Sequence, residues 1–356
     1  MKILFINLAP VYGGAEIYLK NLINELIIQE HEIFLAVSKL PVFFQSVNLD
    51  KKKIIEVEFK YQYFPIIARK LNKLIVKEKI DIVFFNGHRS IYLAPLITKH
   101  VKKICVRHTT TDINFGIKKA ISNLLGEISL RFMNRVIVIS KYHKFDLTKN
   151  KICNKEKIEV IYNGIDVNFF KTSSKKNDRK ELRIIQIGRL ERAKGQLDTL
   201  IVFKKIYETN KNIKLLLVGE GSSKIEIQEK IQKYNLNDAV EMLGFRSDIK
   251  ELLNDSDIFL LPSYFEGLPL SILEAMSMGI PTLSTKVGGI SEIISDGENG
   301  FLIEPGNLRD FELKLLELIK NLELREKFSQ VGQETIRKKF SLEQMVENIR
   351  NSLRNL

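Results

Sequence analysis

The sequence predicts an α/β protein of two doubly wound domains, each built on a parallel sheet. Three observations carry this. Short apolar runs alternate with amphipathic, helix-spaced segments along the chain. One polar, charged stretch without period, residues 169–183, interrupts the alternation. Beyond it the same strand–loop–helix plan restarts. With 356 residues and 44% hydrophobic content, the chain can bury two ordinary cores.

In the first half, residues 2–8, 32–37, 54–57, 81–85, 103–107, 136–139 and 158–162 read as strands. Residues 17–28, 64–77 and 117–132 carry helical spacing. The helix at 64–77 sets Ile66, Ile67, Leu71, Leu74 and Ile75 against Arg69, Lys70, Lys73 and Lys77. In the second half the strands are 184–187, 215–218, 240–243, 258–261 and 282–284, with a helix from Leu197. Three helices close the chain, at about 308–320, 322–338 and 342–353. The domains expected are 1–166 and 184–340, joined by a linker at 167–183 and followed by a closing helical segment, 341–356.

The formal net charge of +13 is unevenly spread. Residues 1–166 hold 27 Lys and Arg against 15 Asp and Glu, a surplus of 12, and the remainder has a surplus of only 1. Biased composition would act on both halves alike, so the first domain is expected to meet an anionic partner. Lipid headgroups, nucleic acid and an anionic acceptor all fit that description; no nucleic-acid motif accompanies the charge. Cys105 falls in a strand and Cys153 in a polar segment, which argues against a disulfide framework. The first residues read as a strand rather than a signal peptide, and no run reaches the ~18–20 apolar residues of a membrane span. A cytoplasmic protein, peripheral at most to the inner face of a membrane, is the expectation.

The chemistry-bearing stretch is Asp257 to Glu274. Ile258–Leu261 is an apolar strand, Pro262, Gly267 and Pro269 make a loop, and helical spacing begins at Leu270. Glu266 stands on that loop and Glu274 about one turn into the helix. The backbone N–H groups of Gly267, Leu268 and Leu270 face whatever sits at the helix start, and Pro269 has none. Taken alone, Glu266 is a loop carboxylate and Glu274 a solvated helix residue. A second loop, Gly188-Arg189-Leu-Glu-Arg-Ala-Lys194-Gly195, carries two cations flanked by glycines. Taken alone it is a solvated basic loop. Gly13-Gly14 after the first strand permits a tight turn but lacks the third glycine of a dinucleotide fingerprint. His108 opens a Thr-rich loop after the strand 103–107. Asp255-Ser-Asp257 looks like a metal-binding pair, yet it precedes its strand, at the end opposite Glu266.

With Pro-Ser before it and Glu-Ala-Met, Gly-Ile-Pro and Val-Gly-Gly after it, the pair Glu266 and Glu274 closely resembles the E-x7-E signature of the GT-B glycosyltransferases of family 4. The loop Gly188–Gly195 is similar to that family's Gly-Arg-Leu-x-x-x-Lys-Gly pattern, and Gly-Gly-Ala-Glu16 to the end of its first loop. The resemblance concentrates in residues 184–305 and thins out between 40 and 130. It implies two Rossmann-like domains facing a central cleft, with the last helix crossing back to the first domain. It implies a retaining, hexosyltransferase-type enzyme that is metal-independent and needs no cofactor, its sugar nucleotide being a substrate. Arg189 and Lys194 would grip the diphosphate and Glu266 the sugar hydroxyls. Glu274 would bind the ribose, Gly244-Phe245 would lie by the base, and Gly13-Gly14 would face the donor. His108 would sit near the sugar and acceptor. The resemblance further implies a front-face mechanism in which the departing phosphate deprotonates the acceptor. A glycan or lipid-linked acceptor of cell-surface polysaccharide synthesis is expected. A sugar-nucleotide epimerase on the same fold, or a non-catalytic polyanion-binding protein, is the alternative.

Overall fold

A computed structural model of the protein describes residues 1–9, 13–38, 47–58, 63–108, 117–150, 152–172 and 181–356, with backbone only over 117–123. The chain forms two compact units. One comprises Met1–Asn163 together with Leu342–Leu356, the other Gly164–Ser341.

The N-terminal unit has seven strands among the described residues: β1 (Lys2–Asn7), β2 (Glu32–Val37), β3 (Ile54–Glu56), β4 (Ile82–Asn86), β5 (Lys102–Arg107), β6 (Arg135–Val138) and β7 (Ile158–Val160). Their order is β3-β2-β1-β4-β5-β6-β7, all pairs parallel. The strands are apolar on both faces because helices cover both faces, the usual condition of a parallel sheet. Leu4, Ile6, Val83, Phe85, Cys105 and Val136 form one buried cluster with Ile67, Leu71 and Ile75 of the helix Phe64–Glu78. On the opposite face Phe5 and Phe84 meet with ring centroids 4.8 Å apart.

The closing helix Leu342–Arg354 buries Met345, Val346, Ile349 and Leu353. Its Ser352 hydroxyl donates to Glu159 Oε2 at 2.6 Å, and Arg135 donates to the same oxygen at 2.8 Å. The Ser352 bond attaches the helix to β7, and Arg135 of β6 donates to the Asn355 carbonyl just beyond it at 3.1 Å.

The C-terminal unit has six strands among the described residues: β8 (Leu182–Ile187), β9 (Ile213–Val218), β10 (Val240–Gly244), β11 (Ile258–Leu261), β12 (Thr282–Thr285) and β13 (Phe301–Ile303). Their order is β10-β9-β8-β11-β12-β13, again parallel throughout. In both units the order reverses beside the first strand, between β1 and β4 and between β8 and β11. Loops leaving the carboxyl ends there diverge, and the crevice between them is where open α/β sheets take ligands.

Among the elements the sequence reading missed are β13 and the helices Lys141–Lys149 and Lys224–Lys233. Each of those helices buries only two residues, His143 and Leu147 or Ile227 and Ile231, too few for a periodic signal. The first helix, Gly14–Ile28, begins three residues before its apolar spacing does. Glu16 folds back to accept the Gly13 N–H at 2.9 Å and so satisfies a helix-start donor. The central part of the expected linker, 173–180, lies outside the described residues, as do 10–12 of the first loop and 109–112 of the Thr-rich loop. Both cysteines are free thiols. Among the described residues no helix is long and apolar enough to cross a membrane.

Candidate active site

The loops after β8 and β11 meet at the reversal point of the C-terminal sheet. Gly195 closes the β8 loop with φ 72°. A Cβ there would stand 2.1 Å from the Pro262 carbonyl oxygen, so only glycine lets the two backbones come this close. The loop is also held by side chains. Gln186, buried at the end of β8, donates to the Lys194 carbonyl at 2.8 Å and accepts from Thr199 Oγ1 at 2.8 Å. Gln196 donates to the Arg189 carbonyl at 2.9 Å.

This scaffold carries Lys194 across to the β11 loop. Its Nζ lies 2.6 Å from Glu266 Oε1, which also accepts the Ser263 hydroxyl at 2.7 Å. The pair is largely out of water, with side-chain exposures of 17% and 7%. From the other side the Val-Gly-Gly turn closes on the same loop. A Cβ on Gly288 would lie 2.0 Å from the Glu266 carbonyl oxygen, and Gly289 N–H donates to the Gly267 carbonyl at 2.7 Å. The glycines around Glu266 are therefore packing constraints on one carboxylate.

Glu274 lies on the helix Leu270–Ser277, which starts at Pro269 without a side-chain cap. Gly267, Leu268 and Leu270 are buried at that start. The Glu274 side chain is buried, and no charge or hydrogen bond opposes the desolvation of its carboxyl. Burial pushes it up to about 7. An unsatisfied buried carboxyl costs stability unless a ligand completes it.

Arg189 behaves differently from Lys194. It is exposed, and its ion pair is with Glu191 at 2.8 Å. Gly244 ends β10, two strands from β8, and the Phe245 ring beside it is 60% exposed. Asp255 and Asp257 sit at the amino end of β11. Asp257 accepts the Arg183 N–H at 2.8 Å, and Asp255 pairs with the Arg183 guanidinium. They fix the start of β8 to β11 and stand at the far end of the sheet from Glu266.

The N-terminal unit has its own polar cluster at the β1/β4 reversal. Asn7 and Asn86 are the last residues of β1 and β4, and His108 directly follows β5. Asn86 Nδ2 reaches the Asn7 Oδ1 and the Ala15 carbonyl, both at 3.3 Å, and Asn86 Oδ1 lies 2.8 Å from His108 Nε2. Tyr18 stands edge-on to the His108 ring at 4.9 Å. Burial, and then the neighbouring His143, pushes His108 down to about 3. Gly13 and Gly14 open the helix beside this cluster. Glu16 is pushed up to about 7 by burial, opposed by backbone N–H groups and by Asn7. Sequence reasoning missed Asn7, Asn86 and Ser263 as site residues, and quoted Glu16 only as part of a loop. The available signal was a polar residue ending an otherwise apolar strand.

Known proteins resemble this chain in sequence and in fold. The family model for glycosyl transferases group 1 matches residues 168–335, and that for glycosyltransferase family 4 matches residues 12–169. An Escherichia coli UDP-Gal:α-D-GlcNAc-diphosphoundecaprenol α-1,3-galactosyltransferase is 31% identical over 68% of this chain and 67% of its own length. The Bacillus anthracis N-acetyl-α-D-glucosaminyl L-malate synthase is 28% identical over 95% of this chain and 92% of its own. The crystal structure of Anabaena HepE in complex with UDP superposes with a TM-score of 0.87 at 21% identity, covering all of both chains. Sucrose-phosphate synthase from Thermosynechococcus elongatus does so with a TM-score of 0.86 at 18% identity, covering 99% of this chain and 98% of its own. This chain thus belongs to glycosyltransferase family 4, and it is a glycosyltransferase of the GT-B fold.

Proposed function

We propose that the protein transfers a sugar, with retention at the anomeric carbon, from a uridine diphosphate sugar to a lipid-linked glycan precursor at the cytoplasmic face of a membrane. The observation that carries the donor half is the buried Lys194–Glu266 pair, with a second buried carboxyl, Glu274, on the helix that follows the Glu266 loop. Lys194 supplies a fixed cation for the leaving diphosphate, and Arg189 a second once it leaves Glu191. Glu266 is oriented by Lys194 and Ser263 to receive sugar hydroxyls. Glu274 takes the ribose hydroxyls, and Phe245 offers an open ring face to the base. Uracil is chosen because the galactosyltransferase relative uses UDP-Gal and HepE holds UDP. His108 contributes a neutral imidazole on the acceptor side. The front-face route remains the one the family resemblance implies. No metal is assigned, since the two cations offset the diphosphate charge and Asp255 and Asp257 are engaged by Arg183.

Thermal shift against a panel of sugar nucleotides tests the donor. A selectively bound donor should raise the melting temperature by mass action, about 2.7 kcal/mol of stabilisation at a hundredfold excess over Kd. The shift should survive a chelator. A shift that vanishes with EDTA and returns with a divalent ion would contradict the metal-free reading.

The lipid half rests on the surface of the N-terminal unit. The helix Phe64–Glu78 turns Ile67, Leu71 and Ile75 inward but leaves Ile66 and Val76 exposed among Arg69, Lys70, Lys73 and Lys77. A groove of about 690 Å³ is lined by Arg69, Lys73, Lys77, Val76 and Leu96. The helix Ile117–Leu130 adds exposed Leu124, Leu125 and Ile128. Interleaved cations and apolar side chains suit an anionic lipid surface. Each lysine or arginine near such a surface contributes roughly 1 kcal/mol, so a few of them give reversible binding, weakened by salt. In co-sedimentation the protein should bind vesicles containing phosphatidylglycerol, leave neutral vesicles alone, and be released at high salt. Equal binding to neutral vesicles, or none to anionic ones at low salt, would remove the membrane from the proposal.

A further inference from the structure

We propose that Asn86 is a positioning residue that fixes the tautomer of His108, so that Nδ1 presents a lone pair to a substrate hydroxyl. The inference rests on the reading above only in placing a substrate beside His108. The tautomer itself follows from the hydrogen bonds.

The Ala15 carbonyl can only accept, and Asn86 points a side-chain amide atom at it from 3.3 Å. That atom must therefore be the Nδ2 donor. Its second contact, 3.3 Å to Asn7 Oδ1, uses the other hydrogen. With Nδ2 so engaged, the atom 2.8 Å from His108 Nε2 is the Asn86 carbonyl oxygen, which can only accept. Nε2 must then carry the proton. A neutral imidazole has one N–H, so Nδ1 is bare. The hydrogen bond the ring makes with a described residue is at Nε2, and His108 is half-buried.

The surroundings reinforce this. Asn86 is 2% exposed and Asn7 1%, so neither amide can turn to water when its partner is removed. Tyr18 packs edge-on against the ring and limits its rotation. The same burial that holds the two amides keeps the ring neutral across the working range, as its depressed proton affinity shows. His108 is thus built as a hydrogen-bond acceptor of fixed direction and not as a general acid. A substrate hydroxyl is the group that fits Nδ1. Three strand ends, β1, β4 and β5, are needed to build one oriented lone pair.

Long-range ¹H–¹⁵N spectra of the full-length, ligand-free protein with labelled histidine read the tautomer directly, because protonated and bare ring nitrogens resonate far apart. In the wild type, His108 should show a protonated Nε2 and a bare Nδ1. Asn86→Leu removes the acceptor and should give a mixture of tautomers. It should lower kcat by about 10- to 100-fold with little change in the donor KM, the scale of losing an orienting partner. A protonated Nδ1 in the wild type would overturn the proposal, even if Asn86→Leu fails to fold. So would Asn86→Leu with an unchanged tautomer. A bare Nδ1 in the wild type and mixed tautomers with unchanged kcat in Asn86→Leu would show that the ring is set as described but unused. That overturns the functional half and leaves the donor site untouched.

Discussion

Lys194→Ala should lower the rate of sugar transfer about 10²–10³-fold, the usual loss for one preorganised charge-stabilising group. The variant should also be less stable, and the two effects have separable causes. The rate falls because the leaving diphosphate loses a cation that the β8 loop holds in place. The stability falls because Glu266 keeps its carboxylate in a site that is 7% exposed, with Ser263 as its remaining partner. Removing one member of a buried ion pair costs roughly 3–5 kcal/mol, and the partial exposure of Lys194 points to the lower end, about 3. Removing both members should cost less than the sum of the single changes, since no charge is then stranded. Denaturant unfolding of Lys194→Ala, Glu266→Gln and the double variant measures this coupling. Strict additivity would mean that the pair is not formed in solution. Wild-type turnover by Lys194→Ala would remove the lysine from the chemistry.

Glu274→Gln should make the ligand-free protein more stable at pH 8 and a poorer binder of its donor. In the folded protein the Glu274 carboxyl is held at about 7, against an ordinary value of 4.5. The folded state therefore holds the proton more tightly than the unfolded chain does. Stability present below about pH 4.5 is lost as the pH rises through about 7, because a buried carboxylate must form without a partner. At 1.36 kcal/mol per pKa unit, ionisation costs roughly 3 kcal/mol. Glutamine keeps the shape and never ionises, so the difference between the two proteins should grow between pH 4.5 and 7, be complete above pH 7 and vanish below pH 4.5. Glu16 titrates with the same sign but is common to both proteins, so it cancels. The donor should bind about 10- to 100-fold more weakly, the value of a hydrogen bond to a charged group. Equal melting temperatures at pH 8 would show that Glu274 is already satisfied in the free protein. Unchanged donor affinity would detach it from the ribose.

These expectations depend on geometry that the sequence discloses unevenly. The parallel sheets were legible because buried strands are written as uninterrupted apolar runs, as in Ile258–Leu261, and one non-periodic stretch separates the halves. Glu266, Glu274 and Lys194 were legible because they lie in motifs with fixed spacing. Their relations were not. That Lys194 meets Glu266 depends on a backbone approach at Gly195 and Pro262, between loops 72 residues apart in the chain. Arg189 stood beside Lys194 in the sequence as one of two matching cations, yet it turns outward to Glu191. Asn7 and Asn86 gave no motif at all. Their roles come from strand order, which sets β1 beside β4 across 79 residues, and no local spacing encodes that neighbour.

The central claim is that the C-terminal unit holds the donor through Lys194, Arg189 and Glu274. A crystal structure of the protein with UDP bound tests it most directly. The account requires the diphosphate within hydrogen-bonding distance of Lys194 Nζ, Arg189 turned from Glu191 toward it, and the ribose hydroxyls on the Glu274 carboxylate. UDP bound elsewhere, or bound with the Glu274 carboxylate still without a partner, would contradict it.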